Sequence, residues 1–303
     1  MIFTVAIPTY NNVNTIEKTL QSCLNQTYSD EFEVLVVNNH STDGTGTILD
    51  KYSDRIRVIE NEKTVSIYEN HNICLQKARG DYILYCHADD ELLDDSLEKI
   101  YSILQKRGFP QRYVLWGRSM FRDFFPTWEK SGLPLDTLLS GMHSFSVFLT
   151  GGLTPSGTCY SRKSLSESAG FFVVNHPLAP SDTITYWKLI FNNFEFEMSS
   201  RLLFKRMHAS TATGSGRSFD NRVEALIDAI NVFKLNNNEY IEEIKQMVRK
   251  EAVNDLIFNI ALYMVGLVNK KKLIKISLII IINKPFKKNS YYKFYKTFLW
   301  MYK

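Results

Sequence analysis

Apolar runs alternating with helical patterns through the first hundred residues constrain the fold more than any other feature of this chain. Residues 2–7 form a short apolar run stopped by Pro8, and residues 32–37, 56–59 and 82–86 repeat the pattern. Between them, Asn14 is placed to cap a helix running to about Leu24, with Ile16, Leu20, Cys23 and Leu24 on one face. Ser41 or Thr42 caps a second helix through about Tyr52, a third runs from about Ser66 to Gly80, and residues 93–104 are again helical. Nearly continuous apolar strands, each followed by a helix, predict a parallel sheet covered on both faces. Ligands on such sheets bind beyond the carboxyl ends of the strands. Three polar clusters fall there: Thr9-Tyr10-Asn11-Asn12, Asn38-Asn39-His40 and His87-Ala88-Asp89-Asp90.

The third cluster is the chemically pointed one. Adjacent carboxylates at a strand end repel each other, and a plain turn needs only one. A divalent cation removes the repulsion, because hard oxygen ligands suit Mg²⁺ or Mn²⁺, and such a cation holds a diphosphate. The plainer alternative for Asp89-Asp90 is a solvated turn with a helix cap. No Walker loop is present and no G-x-G-x-x-G follows the first strand, which argues against a P-loop kinase and a dinucleotide oxidoreductase.

The chain of 303 residues has room for one large domain or two small ones. Hydrophobic residues at 45% and charged residues at 22% are an ordinary globular balance. Cys23, Cys74, Cys86 and Cys159 lie far apart with no C-x-x-C pair. They read as reduced thiols in a cytosolic protein, not as a disulfide frame or a zinc site. Residues 1–5 already resemble a buried strand, so no signal peptide is expected.

The middle of the chain, residues 110–217, is less regular. Residues 113–116 fit a further strand, residues 151–157 a glycine-rich loop, and Ser181 or Asp182 a cap for a helix to about Phe191. Residues 219–268 look helical. The net charge of +4 hides an asymmetry: residues 270–303 hold ten lysines and no acid, so removing that +10 leaves −6 for residues 1–269. The apolar stretch at 273–282 is too short for a span of about 20 residues. Lysines interleaved with Tyr291, Tyr292, Phe294, Tyr295, Phe298 and Trp300 suit an anionic membrane surface. A helix pair packed on the domain is the alternative. No nucleic-acid motif accompanies the lysines, so nucleic acid is not an expected partner.

Several motifs in order resemble family 2 glycosyltransferases of the GT-A fold. They are Ala6-Ile7-Pro8-Thr9-Tyr10-Asn11, Gln26-Thr27-Tyr28, Glu33 to Thr45, Asn72, Ala78-Arg79-Gly80-Asp81-Tyr82-Ile83 and Ala88-Asp89-Asp90. The resemblance implies a Rossmann-like, mainly parallel sheet flanked by helices over residues 1–217. A helical, basic region over 218–303 would carry the membrane-surface tail. It also implies inverting transfer of a sugar from a nucleotide-diphosphate donor to a hydroxyl of a glycan or lipid-linked acceptor. The setting would be cell-surface polysaccharide assembly, such as O-antigen or capsule, on the inner face of the cell membrane.

By the same resemblance, Pro8, Thr9 and Tyr10 lie beside base and ribose, and Asn12, Asn72, Ala88 and Asp90 belong to the donor site. Asn38 takes the place of an acid that recognises the base. An amide oxygen still accepts an imino N–H, without charge assistance. His87 replaces the first acid of the Asp-x-Asp metal motif, Asp89 remains as its direct ligand, and His208 is a further candidate ligand. Asp182, with Ser181 before it in place of Glu, matches the catalytic base. Ser156 and Gly157 would line the acceptor side. The departures at Asn38, His87 and Ser181 keep a rival in view, a non-catalytic nucleotide-sugar or glycan-binding protein on the same fold.

Overall fold

A computed structural model describes residues 1–119, 135–140, 155–168, 170–171, 185–186, 188–190 and 192–206, all within one compact unit. The boundary expected at 217/218 and the basic tail fall outside the described residues. Strand β1 (Phe3–Thr9) leads to α1 (Ile16–Leu24), β2 (Glu33–Asn38), α2 (Thr45–Asp50), β3 (Arg57–Glu60), α3 (Ile67–Lys77) and β4 (Tyr82–Tyr85). Then come β5 (Asp90–Leu92), α4 (Ser96–Lys106), β6 (Tyr113–Ser119), β7 (Leu138–Leu139), β8 (Thr158–Ser161), α5 (Arg162–Glu167) and β9 (Glu195–Arg206). They form one sheet in the order β3-β2-β1-β4-β8-β6-β9-β5, with β7 also against β9.

The first four strands pair in parallel, as the alternation predicts. Both faces of this half are covered. Phe3, Val5 and Ile7 of β1 join Ile16, Leu20 and Cys23 of α1 and Leu97, Ile100 and Leu104 of α4 in one core. Each such fully buried aliphatic side chain contributes about 1.5–3 kcal/mol. On the other face α3 packs on β1 and β2, and α5 on β4 and β8. All four cysteines are buried and free. No helix among the described residues is long and apolar enough to cross a membrane.

Helix starts show where local chemistry competes with pattern. Helix α3 opens with a capping box: Ser66 Oγ accepts from Glu69 N–H and Glu69 reaches back to Ser66 N–H. Helix α1 begins later than Asn14 would place it. Its first amides, Thr15 and Ile16, donate instead to the Asn12 carbonyl, 3.0 and 2.9 Å away. Helix α2 starts only at Thr45, because Asp43 holds both the Thr45 amide and hydroxyl and Gly44 turns with φ +94°.

Beyond β4 the sheet changes character. Strand β8 runs antiparallel to both β4 and β6, while β6 and β9 are parallel. The β6–β9 register slips after Gly117, from Ser199 to Leu202, and this bulge bends β9. A Cβ on Gly117 would collide with the Leu203 side chain, so only glycine lets the strands cross this closely. The far end of β9 then receives β5 antiparallel, Asp90 opposite Arg206. Leu93 N–H donates to the Leu203 carbonyl at 3.1 Å. The turn between β4 and β5 therefore joins the parallel half to the strand that closes the other half.

Candidate active site

At the carboxyl ends of β1, β2 and β3 the polar residues form an amide network. Thr9 Oγ1 and Tyr10 N–H both donate to Asn12 Oδ1 at 3.0 Å. Asn11 adopts a left-handed conformation, which a short amide tolerates, and its Oδ1 accepts from Thr42 N–H at 2.9 Å. Tyr10, thus placed, is 49% exposed beyond the strand end. Asn38 is buried; its Oδ1 accepts from the Ser41 hydroxyl at 2.5 Å and its Nδ2 donates to Glu60 Oε1 at 3.0 Å. A carboxylate therefore stands directly beside the amide expected to read the base. Asn39 pairs with Val65 as a peptide would, through both its oxygen and its nitrogen. Asn61 Nδ2 links Asn39 to Asn70, and Asn70 donates to the Val37 carbonyl.

The β4–β5 turn carries different groups. Asp90 N–H closes it onto the His87 carbonyl at 2.9 Å. One ligand atom each from His87, Asp89 and Asp90 lie within 4.8 Å of one another. Asp90 is buried, while His87 and Asp89 are partly exposed. Ser156 braces the turn from beneath: its hydroxyl accepts from His87 N–H at 3.0 Å and donates to Asp90 Oδ2 at 2.5 Å. Thr19 of α1 donates to the Asp90 carbonyl at 2.8 Å. Among the described residues, the Asp89 carboxylate accepts no hydrogen bond. Two carboxylates and an imidazole gathered this closely are a donor set that fits Mg²⁺ or Mn²⁺.

Behind His87 stands His71 of α3, which is buried. Its Nδ1 lies 2.7 Å from the Ile67 carbonyl and its Nε2 3.0 Å from His87 Nε2. The His71 ring stacks on Tyr85 with centroids 5.2 Å apart, and Phe171 meets it edge-on at 5.5 Å. Burial, and then the neighbouring His87 ring, push the His71 pKa down to about 3. Tyr85 further ties α3 to β4 by donating to the His71 carbonyl at 2.8 Å.

The structure brings Thr9, Tyr10, Asn12, Asn38, His87, Ala88, Asp89 and Asp90 to the same ends of neighbouring strands, as the sequence predicts, with Pro8 in β1 leading into them. It gives other residues different surroundings. Ser156 and Gly157 are buried, Ser156 under the acid turn and Gly157 with its N–H on the Tyr85 carbonyl at 2.8 Å. The Asn72 carboxamide is committed to the Phe171 backbone, accepting at 2.8 Å and donating at 2.9 Å. A Cβ on Gly170 would strike Asn72, and its φ of +64° favours glycine as well. Asp182 and His208 lie outside the described residues. Sequence reasoning missed Glu60, Asn61 and His71. A histidine on a helix carries no motif; only its distance in space to His87 marks it.

Residues 4–119 match the model of the family described as Glycosyl transferase family 2. TuaG of Bacillus subtilis (strain 168), assigned to teichuronic acid biosynthesis as a glycosyltransferase, is 33% identical over 148 residues, 48% of this chain and 55% of TuaG. The chain spans less than two thirds of the first curated relatives it matches, 31% of one and 55% of the other. The crystal structure of S. aureus TarS 1-349 in complex with UDP-GlcNAc superposes with a TM-score of 0.65 at 20% identity, over 82% of this chain and 71% of that one. The mannosyltransferase PcManGT from Pyrobaculum calidifontis, in complex with GDP-Man and Mn²⁺, gives 0.56 at 18% identity over 93% and 87%. These structural likenesses establish the fold.

Proposed function

We propose that this chain, whose residues 4–119 match the family 2 glycosyl transferase model on a GT-A sheet, is a glycosyltransferase of cell-surface polysaccharide synthesis. It moves a sugar from a nucleotide diphosphate to a hydroxyl of a glycan or lipid-linked acceptor, with inversion at the anomeric carbon. One observation carries this reading. The amide network and the His87-Asp89-Asp90 cluster sit at the same ends of adjoining parallel strands, where open α/β sheets bind their ligands. The relatives lend support: TarS is described with UDP-GlcNAc and PcManGT with GDP-Man and Mn²⁺.

In this reading Pro8, Thr9 and Tyr10 flank base and ribose, with Tyr10 offering its exposed ring for stacking. Asn38 has its amide bonds made, so Glu60 beside it brings the negative charge to the base edge. Asp89 and His87, with Asp90 and His208, are the residues that would hold Mg²⁺ or Mn²⁺. When bound, that cation supplies charge stabilisation for the departing diphosphate. Ser156 keeps Asp90 oriented, and Asn72 acts through Phe171 rather than by direct contact. Asp182 takes the proton from the acceptor hydroxyl as that oxygen attacks the anomeric carbon; no covalent sugar–enzyme intermediate is required. The basic, aromatic residues 270–303 hold the enzyme at the inner surface of the membrane, beside a lipid-linked acceptor.

The test is a panel of nucleotide sugars screened against the full chain by thermal shift and by donor hydrolysis, each with and without Mn²⁺. The expected result is stabilisation by one donor that depends on the metal, with slow release of its nucleotide diphosphate. A chain that binds no nucleotide sugar under any of these conditions would overturn the proposal.

A further inference from the structure

The position of His71 raises a question that the metal motif leaves open, namely which nitrogen of His87 faces the acids. His71 Nδ1 sits against a backbone carbonyl, an acceptor only, so Nδ1 carries a proton. The ring is buried among Tyr68, Tyr85 and Phe171, and a second proton there would leave a charge with no carboxylate of the described residues beside the ring. Its Nε2 is consequently a lone pair. The atom 3.0 Å from that lone pair, His87 Nε2, must be the donor. A neutral imidazole has one N–H, so a His87 that donates from Nε2 holds its lone pair on Nδ1.

We propose that His71 is a positioning residue: by accepting the His87 Nε2 proton it fixes the ring's tautomer and rotation, so that Nδ1 is the nitrogen His87 offers to a divalent cation shared with Asp89 and Asp90. The proposal rests on the metal reading given above and adds the residue that prepares it. The support extends beyond the pair. The aromatic cage fixes the plane of the His71 ring, and the capping box holds the start of α3, one turn before it. An imidazole ligand whose other nitrogen is engaged in this way is held in one tautomer and is a better base toward a metal. The arrangement also suits the departure at position 87, since an aspartate would not need its protonation site chosen.

Two measurements on the full chain test this. A long-range proton–nitrogen correlation spectrum at neutral pH without metal reads the tautomers directly. The expected pattern is His71 protonated on Nδ1 and His87 on Nε2; a His87 protonated on Nδ1 overturns the proposal. Mn²⁺ binding, followed by electron paramagnetic resonance, then compares the wild type with His71→Phe and His71→Gln. Phenylalanine keeps the aromatic packing and removes the acceptor, and should weaken Mn²⁺ binding about 10- to 100-fold. Glutamine places an amide oxygen near the lost Nε2 and should recover most of that affinity. Equal affinity in all three chains, or equal loss in both variants, overturns the role of His71. A wild type with the expected tautomers that binds no Mn²⁺ overturns instead the metal reading, and with it the cation clause of this proposal.

Discussion

At the ends of β1, β2 and β3 the polar side chains are mostly amides, and their hydrogen bonds go to one another or to nearby backbone. Asn39 alone satisfies Val65 at both its N–H and its carbonyl and receives Asn61 as well. At the end of β4 the groups are an imidazole and two carboxylates, braced from behind by His71, Ser156 and Thr19. The first arrangement closes on itself and stitches loops together. The second is supported from the inside and keeps the Asp89 carboxylate without a hydrogen-bond donor among the described residues. Amides serve the first task because each carries both donor and acceptor; carboxylates serve the second because their repulsion is relieved by a cation. On the proposed function, the difference separates residues that shape the pocket from residues that act in it.

That separation can be broken by experiment. The largest effect belongs to Asp182→Asn, which should lower kcat by about 100- to 10,000-fold, as expected for loss of a general base, with donor affinity kept. Normal turnover by this variant would remove Asp182 from the chemistry. Asp89→Ala should come next: calorimetric titration should show loss of the Mn²⁺-dependent part of donor binding, at least about 100-fold, with melting behaviour little changed. An Asp89→Ala chain that unfolds readily yet binds donor normally would put the acid turn in the stitching class.

Intermediate effects divide the two regions most finely. Asn39→Ala strands the Val65 and Asn61 groups and should cost about 1–3 kcal/mol in urea unfolding without altering Mn²⁺ affinity. Ser156→Ala leaves Asp90 without its donor and should reduce both stability and Mn²⁺ affinity, the latter about tenfold. If the two variants behaved alike, the contrast would fail. The smallest effect is a pH slope. His71 has a pKa of about 3 in the fold against 6.5 ordinarily. Between these values the unfolded chain binds a proton that the folded chain refuses. Stability should therefore fall as pH drops below about 6.5, by up to about 1.4 kcal/mol per unit, and His71→Gln should flatten that slope in urea melts at pH 7.5 and 5.5.

The parallel half of the sheet was legible because each strand and helix there is a local pattern. A run of four apolar residues, Val34 to Val37, names β2, and Ser66 followed by Glu69 names the start of α3. The other half depends on distant pairings. Nothing local in Asp90-Glu91-Leu92 reveals a strand, since its partner is β9, more than a hundred residues away. The same holds for the site. Its carboxylates stand out as a motif, whereas Ser156 and His71 contribute through positions that only folding creates. A motif residue can also be engaged by backbone, as Asn72 is by Phe171, and nothing local in the sequence shows it.

The bond between His71 and His87 also ties the choice of residue at one of these positions to the choice at the other. An aspartate introduced at 87 alone would face a lone pair, and His71 would have to take up a second proton in surroundings that exclude it. A change at 71 that removes the acceptor would release the ring at 87. Substitutions at the two sites should therefore be non-additive, each setting what the other tolerates.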